Sequence, residues 1–184
     1  MALRSRRKKT PLSVRRITWI GVFVSQALML HGIERLLPVP QLAPGVKLGL
    51  ANIITLVALS ILPWGDAWLI LLLRSFLGAL LGGGASSVLF SLAGGILSFL
   101  IMSALLKYRH IFSTPAISVA GAFCHNLGQI LMAGLVVETF NIFVYFPILV
   151  VSALVTGFFI GVISDLTVNA LKRSRLTPVA DDHH

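Results

Sequence analysis

The chain has 184 residues, of which 57% are apolar and only 11% are charged. A water-soluble domain of this size cannot bury so much apolar surface, because its surface is large relative to its volume. These values exclude an ordinary soluble protein and indicate a single domain embedded in a membrane. The net charge of +9 does not indicate nucleic-acid binding, because most of the fifteen Lys and Arg residues lie before the first apolar run or after the last.

Six apolar runs follow in chain order, and they predict an all-α membrane protein with a bundle of six transmembrane helices. The first run covers residues 17–37, and a proline-rich loop over residues 38–45 separates it from the second, residues 46–62. The remaining runs cover residues 67–81, 87–106, 115–137 and 144–171, and Pro115 suits a helix start. The second and third runs are short, so one of them is expected to be tilted little or partly irregular.

The distribution of basic residues predicts the orientation. With the N-terminus inside, the inner segments hold twelve Lys and Arg residues, whereas the outer loops hold at most two, Arg35 and Lys47. Basic residues favour the cytoplasmic side, so both termini are predicted to be cytoplasmic. Residues 1–16 are then a basic N-tail, residues 17–171 the transmembrane domain and residues 172–184 a C-tail.

Polar side chains inside the spans are candidate functional positions, because inserting each of them costs free energy. Most are expected in the outer half of the bundle, lining one polar chamber that the loop over residues 38–45 covers. The predicted substrate-binding residues are His31, Glu34, Lys47, Asn52, His125, Asn126 and Gln129. One alternative is that the residues near the ends, including Arg35 and Glu138, only reach towards water. Another is that the deeper ones form hydrogen bonds between helices without a ligand.

Arg74 and Asp165 lie within the third and sixth spans. Their distances from the inner ends of these spans are about 12 Å and 9 Å at 1.5 Å per residue. Because the depths match and the charges are opposite, we predict a structural ion pair, or a contact used by a partner protein.

Small residues four positions apart form faces on which helices can approach closely. Such faces serve packing within the bundle or docking to another membrane subunit. The motifs are Gly21-x-x-x-Ser25, Gly78-x-x-x-Gly82 and Gly157-x-x-x-Gly161.

The sequence contains no recognisable catalytic motif. The glycines at 82–84 are not followed by the Gly-Lys-Ser/Thr of a phosphate-binding loop, and no aspartate-rich DDxxD motif for diphosphate is present. The one cysteine, Cys124, excludes an internal disulfide and a cysteine metal cluster. The chain is therefore predicted not to be an enzyme and to use neither a metal nor another cofactor.

Two stretches resemble the signature of a known family. They are PGVKLGLANI at residues 44–53 and AGAFCHNLGQ at residues 120–129. With the six-span layout they resemble the Gx transporter family, often labelled "heptaprenyl diphosphate synthase component I". That family is similar to the substrate-binding S components of energy-coupling factor (ECF) vitamin transporters. The resemblance covers about residues 15–172.

The resemblance implies a six-helix subunit of the bacterial inner (cytoplasmic) membrane that captures a scarce nutrient outside. It also implies a separate transmembrane coupling subunit and two cytoplasmic ATPases as partners. The loop over residues 38–45 would gate the pocket, and Gly21 and Ser25 would form the face that docks to the coupling subunit.

The residues alone do not identify the substrate. Lys47 and His125 would suit an anionic or carbonyl-bearing ligand, and the apolar surroundings suit a ring or a prenyl chain. The leading hypothesis is uptake of a small vitamin-like, quinone-precursor or isoprenoid-related molecule. The alternatives are a membrane subunit of a redox or prenyl-lipid (heptaprenyl diphosphate synthase-like) assembly, and an assembly factor without a ligand.

Overall fold

The computed structural model describes residues 14–36, 49–81 and 84–174, and these ranges contain helices and no strand. The predicted all-α class is confirmed, and each predicted run contains one α-helix. A 3₁₀ helix, Phe140–Tyr145, precedes the last of them. The α-helices are α1 Val14–Leu36, α2 Asn52–Ile61, α3 Trp64–Leu80, α4 Gly84–Leu106, α5 Thr114–Val137 and α6 Phe146–Arg173.

Four helical segments are long and apolar enough to cross a bilayer. Their outward surfaces are apolar as well: on α6 the side chains of Leu154, Phe159 and Leu166 are all more than half exposed. Water would penalise such a surface, whereas lipid chains solvate it. The chain is therefore a multi-pass membrane protein. The four segments are Val14–Glu34, Ser86–Leu106, Thr114–Val137 and Asn141–Arg173.

The second helix is shorter than the predicted run over residues 46–62. Gly49 has a φ of +81°, a left-handed conformation that glycine adopts without strain and that an α-helix does not contain. A turn follows it, and α2 begins only at Asn52. Ten residues give a helix about 15 Å long, which is half the roughly 30 Å thickness of a bilayer's hydrocarbon core. The start of α2 therefore lies about halfway along the bundle.

One end of the bundle collects most of the basic residues. Near it, Arg16 at the start of α1 donates from Nε to Asp66 Oδ2 at the start of α3, at 2.6 Å. Lys107 and Arg109 follow α4, and the last turn of α6 carries Lys172 and Arg173. We call this the basic end. Successive helices run in opposite directions, so α1, α3 and α5 begin at the basic end and α2, α4 and α6 end there.

Glycines set the closest helix contacts. A Cβ atom at Gly128 of α5 would lie 2.6 Å from the carbonyl oxygen of Ala93 in α4. A Cβ atom at Gly157 of α6 would lie 2.8 Å from the Cα atom of Val119 in α5. These backbones approach to a distance that only glycine permits. The Gly157 motif therefore packs α6 on α5 within the bundle.

The motif on α1 has a different environment. A Cβ atom at Gly21 would have nothing within 4 Å, and Ser25 is exposed, its hydroxyl donating to the Gly21 carbonyl oxygen at 2.8 Å. This small-residue face is thus open towards the surroundings rather than packed within the chain. Gly82, the second residue of the motif on α3, lies outside the described residues.

Candidate ligand-binding site

Buried polar groups from four helices meet where α2 begins. Glu34 comes from α1, Asn52 from α2, Arg74 from α3 and His125 from α5, and none of these side chains is more than 9% exposed. Arg74 lies ten residues after the start of α3, about 15 Å from the basic end, which matches the length of α2. We call these four residues, together with Gly49, the polar cluster. The polar cluster lies in the middle of the bundle.

Glu34 connects the end of α1 to the turn before α2. The backbone N–H of Gly49 donates to Glu34 Oε1 at 2.5 Å. The carboxylate also acts electrostatically on the guanidinium group of Arg74. One acidic side chain thus holds the turn in place and supplies a countercharge for a buried cation.

Arg74 and Asn52 form the centre of the cluster. Arg74 Nη2 donates to Asn52 Oδ1 at 3.1 Å, and this hydrogen bond is buried. Two further donor atoms, Arg74 Nε and Asn52 Nδ2, are buried without an acceptor among the described residues. A buried donor that lacks an acceptor costs about 1–3 kcal/mol, so most native proteins avoid it. The two donors mark a place where a further acceptor group would be stabilised.

His125 closes the cluster from α5. A Cβ atom at Gly49 would lie 3.0 Å from Asn52 Nδ2 and 3.3 Å from His125 Cδ2, so both side chains border this glycine. On the other side of the ring, a Cβ atom at Gly94 of α4 would lie 3.0 Å from His125 Nδ1 and 2.8 Å from Gln129 Cγ. His125 and Gln129 therefore share one face of α5, as predicted.

Gly94 and its neighbour Gly95 are not among the predicted site residues. A Cβ atom at Gly95 would lie 3.7 Å from Arg74 Nη2, so the pair lets side chains of α3 and α5 both approach α4. A glycine pair inside an apolar run is common in membrane helices, and the only signal in the sequence is that the two glycines are adjacent. Their role becomes visible once α3, α4 and α5 are placed together.

The structure brings Glu34, Asn52 and His125 together, and their role in substrate binding stays a prediction. His31 lies one turn before Glu34 and faces α3, where its Cδ2 atom would be 3.4 Å from a Cβ atom at Gly78. Lys47 and the predicted covering loop over residues 38–45 lie outside the described residues, as does the side chain of Arg35.

Asn126 is on a different side of α5 from the polar cluster. Its Nδ2 donates to the carbonyl oxygen of Leu149 in α6 at 2.9 Å, and its side chain is 4% exposed. This contact favours the alternative in which Asn126 forms a hydrogen bond between helices without a ligand. Glu138 ends α5 with a left-handed φ of 54° and is exposed, as expected of a residue that faces water.

The predicted ion pair between Arg74 and Asp165 is wrong. Arg74 bonds to Asn52, whereas Asp165 accepts hydrogen bonds from Thr114 Oγ1 at 2.8 Å and from Asn169 Nδ2 at 3.1 Å. Asp165 lies beside a pocket of about 250 Å³ at the basic end. Arg74 lies near the middle of the bundle, whereas Asp165 bonds the first residue of α5 at the basic end, and α2 packs against both α3 and α6 between them. Depth counted along the sequence therefore places the two residues neither at the same level nor on facing sides of neighbouring helices.

Charge reversal tests this correction. We expect Arg74→Glu and Asp165→Arg each to lower the thermal stability of the detergent-purified chain. Because the two residues have different partners, the double variant should lose the sum of the single losses within about 0.5 kcal/mol. Recovery of stability in the double variant would show that the two side chains do pair.

A family model described as "Heptaprenyl diphosphate synthase component I" matches residues 23–167, which is well over half of the chain. The chain belongs to this family. No curated protein and no solved structure matches the chain.

Every residue of the polar cluster lies within the region that matches the heptaprenyl diphosphate synthase component I family. Both signature stretches contribute to the cluster, since Gly49 and Asn52 come from the first and His125 from the second. The family description names a component, which implies a partner subunit for this chain. Gly49 and Asn52 of the first stretch and His125 of the second, remote in the sequence, are thus adjacent in the folded chain.

Proposed function

We propose that this chain is the substrate-binding membrane subunit of an uptake system, similar to the S components of ECF transporters. Its substrate is a small vitamin-like, quinone-precursor or isoprenoid-related molecule. Separate coupling and ATPase subunits supply the energy, and the chain itself is not an enzyme. In this proposal the basic end faces the cytoplasm of a bacterium and the chain spans its inner membrane six times.

The polar cluster is the observation that supports the proposal. Its charged and amide side chains lie near the middle of a lipid-facing bundle, where each is costly to place. Apolar and small side chains are sufficient to pack helices in a membrane, so packing alone does not explain why these polar groups are present. Two of its donor atoms also lack an acceptor. Binding of a small polar molecule accounts for both features.

The exposed face of α1 supports the role of a subunit. Gly21 and Ser25 leave an open, small-residue surface on which a second membrane protein could approach closely. The coupling subunit is proposed to dock there. Two cytoplasmic ATPases complete the assembly, since the sequence of this chain has no nucleotide-binding motif of its own.

The family description also names a synthase. A synthase role would need a site for the diphosphate of a prenyl substrate and its magnesium, for which the sequence has no aspartate-rich motif. We therefore propose uptake, and leave membership of a redox or prenyl-lipid assembly as an outcome of the test.

Mass spectrometry of small molecules extracted from the purified full-length chain tests the proposal. We expect the wild-type chain to retain one metabolite, and Asn52→Ala and His125→Ala to retain it at least tenfold less. Asn169→Ala is the matched control, because Asn169 is exposed at the basic end and bonds only Asp165. It should retain the wild-type amount.

Three results would contradict uptake. Retention of a flavin in place of a transported metabolite would indicate a redox subunit, and prenyl transfer by the isolated chain would indicate a synthase. A wild-type chain that retains no small molecule would favour an assembly factor.

A further inference from the structure

The two donor atoms without an acceptor belong to two groups that one hydrogen bond joins. Arg74 Nη2 is bonded to Asn52 Oδ1, so Nε of the same guanidinium and Nδ2 of the same amide are parts of one buried, hydrogen-bonded unit. Their side chains are only 7% and 3% exposed. Both atoms can donate a hydrogen bond and neither can accept one. The group that would satisfy them must therefore carry acceptor oxygens.

The charge of the surroundings adds a second condition. The guanidinium of Arg74 is positive at any physiological pH. The carboxylate of Glu34 offsets part of that charge and accepts a hydrogen bond from the backbone N–H of Gly49. Arg74 Nε itself is buried without an acceptor among the described residues, so this atom is available to a further partner. A planar guanidinium binds carboxylate and phosphate oxygens more strongly than neutral carbonyl oxygens.

The backbone of Gly49 approaches the amide donor closely. A Cβ atom there would lie 3.0 Å from Asn52 Nδ2 and 3.3 Å from His125 Cδ2, a tight contact. The positive φ of Gly49 favours glycine at this position on conformational grounds too. A side chain at position 49 would therefore press on the amide of Asn52 and on the ring of His125.

We propose that the substrate carries an oxyanion, a carboxylate or a phosphate, which binds between Arg74 Nε and Asn52 Nδ2. This inference rests on the proposed function and names the chemistry of the same site. Arg74, which the depth argument paired with Asp165, becomes the residue that recognises the substrate's charge. Glu34 holds the turn and limits the positive charge when the site is empty.

Thermal unfolding of the full-length chain, reconstituted in nanodiscs of neutral lipid, tests the inference at pH 7. The probes are benzoate, inorganic phosphate and benzamide, which is a neutral isostere of benzoate. We expect the melting temperature to rise with the concentration of one of the two anions and not with benzamide. If the melting temperature rises with benzoate alone, the substrate carries a carboxylate. If it rises with phosphate alone, the substrate carries a phosphate.

Two variants identify the residues. Arg74→Gln should weaken the apparent affinity for the anion at least tenfold, whereas its matched control Arg109→Gln, exposed after α4, should not. Asn52→Asp places a carboxylate of the chain itself beside Arg74. We expect this variant to melt at or above the wild-type temperature and to show no response to either anion, so it remains informative if Arg74→Gln does not fold.

Several outcomes would overturn the inference. These are an equal rise with benzamide, no rise with either anion, or an equal response in wild type and Asn52→Asp. If the extracted metabolite described above is neutral at pH 7, the inference fails while the proposed uptake function stands. If the wild-type chain retains no metabolite, the proposed function fails first.

Discussion

Replacing Glu34 by alanine should lower the free energy of unfolding by about 3 kcal/mol, because removing one partner of a buried charge pair leaves the other charge uncompensated. Two interactions are lost together: the hydrogen bond from the Gly49 N–H and the electrostatic stabilisation of Arg74. Glu34→Gln separates them, since glutamine keeps an acceptor oxygen but not the charge. We expect Glu34→Gln to lower the free energy of unfolding by about half as much as Glu34→Ala. Denaturant unfolding of the purified chain measures both losses.

A double-mutant cycle determines how much of this loss comes from Arg74. In the Arg74→Gln background there is no cation to compensate, so Glu34→Gln should cost at least 1 kcal/mol less than in the wild type. Glu138→Gln is the matched control, because Glu138 is exposed and its replacement should change stability by less than about 0.5 kcal/mol. Additive losses at Glu34 and Arg74 would show that the two charges do not stabilise each other.

Replacing Gly94 by alanine should lower the free energy of unfolding by about 2 kcal/mol through overpacking. The new Cβ atom would lie 2.7 Å from the backbone carbonyl oxygen of His125, so α4 and α5 would have to separate. His125 would move with its helix, and retention of the extracted metabolite should fall with the stability. Both quantities are measured on the same purified sample.

The neighbouring glycine provides a matched comparison. A Cβ atom at Gly95 would also meet an atom at 2.8 Å, but that atom is the Cδ1 of Leu71, a terminal methyl group that can rotate away. Gly95→Ala should therefore cost clearly less than Gly94→Ala. At Gly21, where a Cβ atom meets nothing within 4 Å, alanine should be neutral or stabilise the helix. If Gly94→Ala and Gly95→Ala lowered the free energy of unfolding equally, the contact with the His125 backbone would not be the cause of the loss at Gly94.

The helices were predictable because apolar length is read directly along the chain. Each apolar run contains one helix, and Pro115 indeed lies in the first turn of α5. The short α2 was less predictable, since its start follows a turn in which Gly49 has a positive φ, and the sequence does not show that backbone angle.

The candidate site was predictable only in part. The cost of polar groups in lipid indicated Glu34, Asn52 and His125, which do meet. Arg74 was assigned to the wrong partner, because sequence position gives only an approximate depth of a residue and not its direction around the helix axis. That direction depends on which helices are neighbours, and here α2 lies between α3 and α6.

The half-length α2 has a consequence for biogenesis. A helix of ten residues, three of them polar, is too short to be recognised as a membrane span by itself. α3 is little better, because its seventeen residues include Arg74, and an arginine costs about 2.5–3.5 kcal/mol to insert at the centre of a helix. Neither helix is expected to enter the bilayer alone. We expect the two to insert together as one hairpin, joined by Leu62 and Pro63, and to place Asp66 against Arg16 and Arg74 near Glu34 of an α1 that is already inserted.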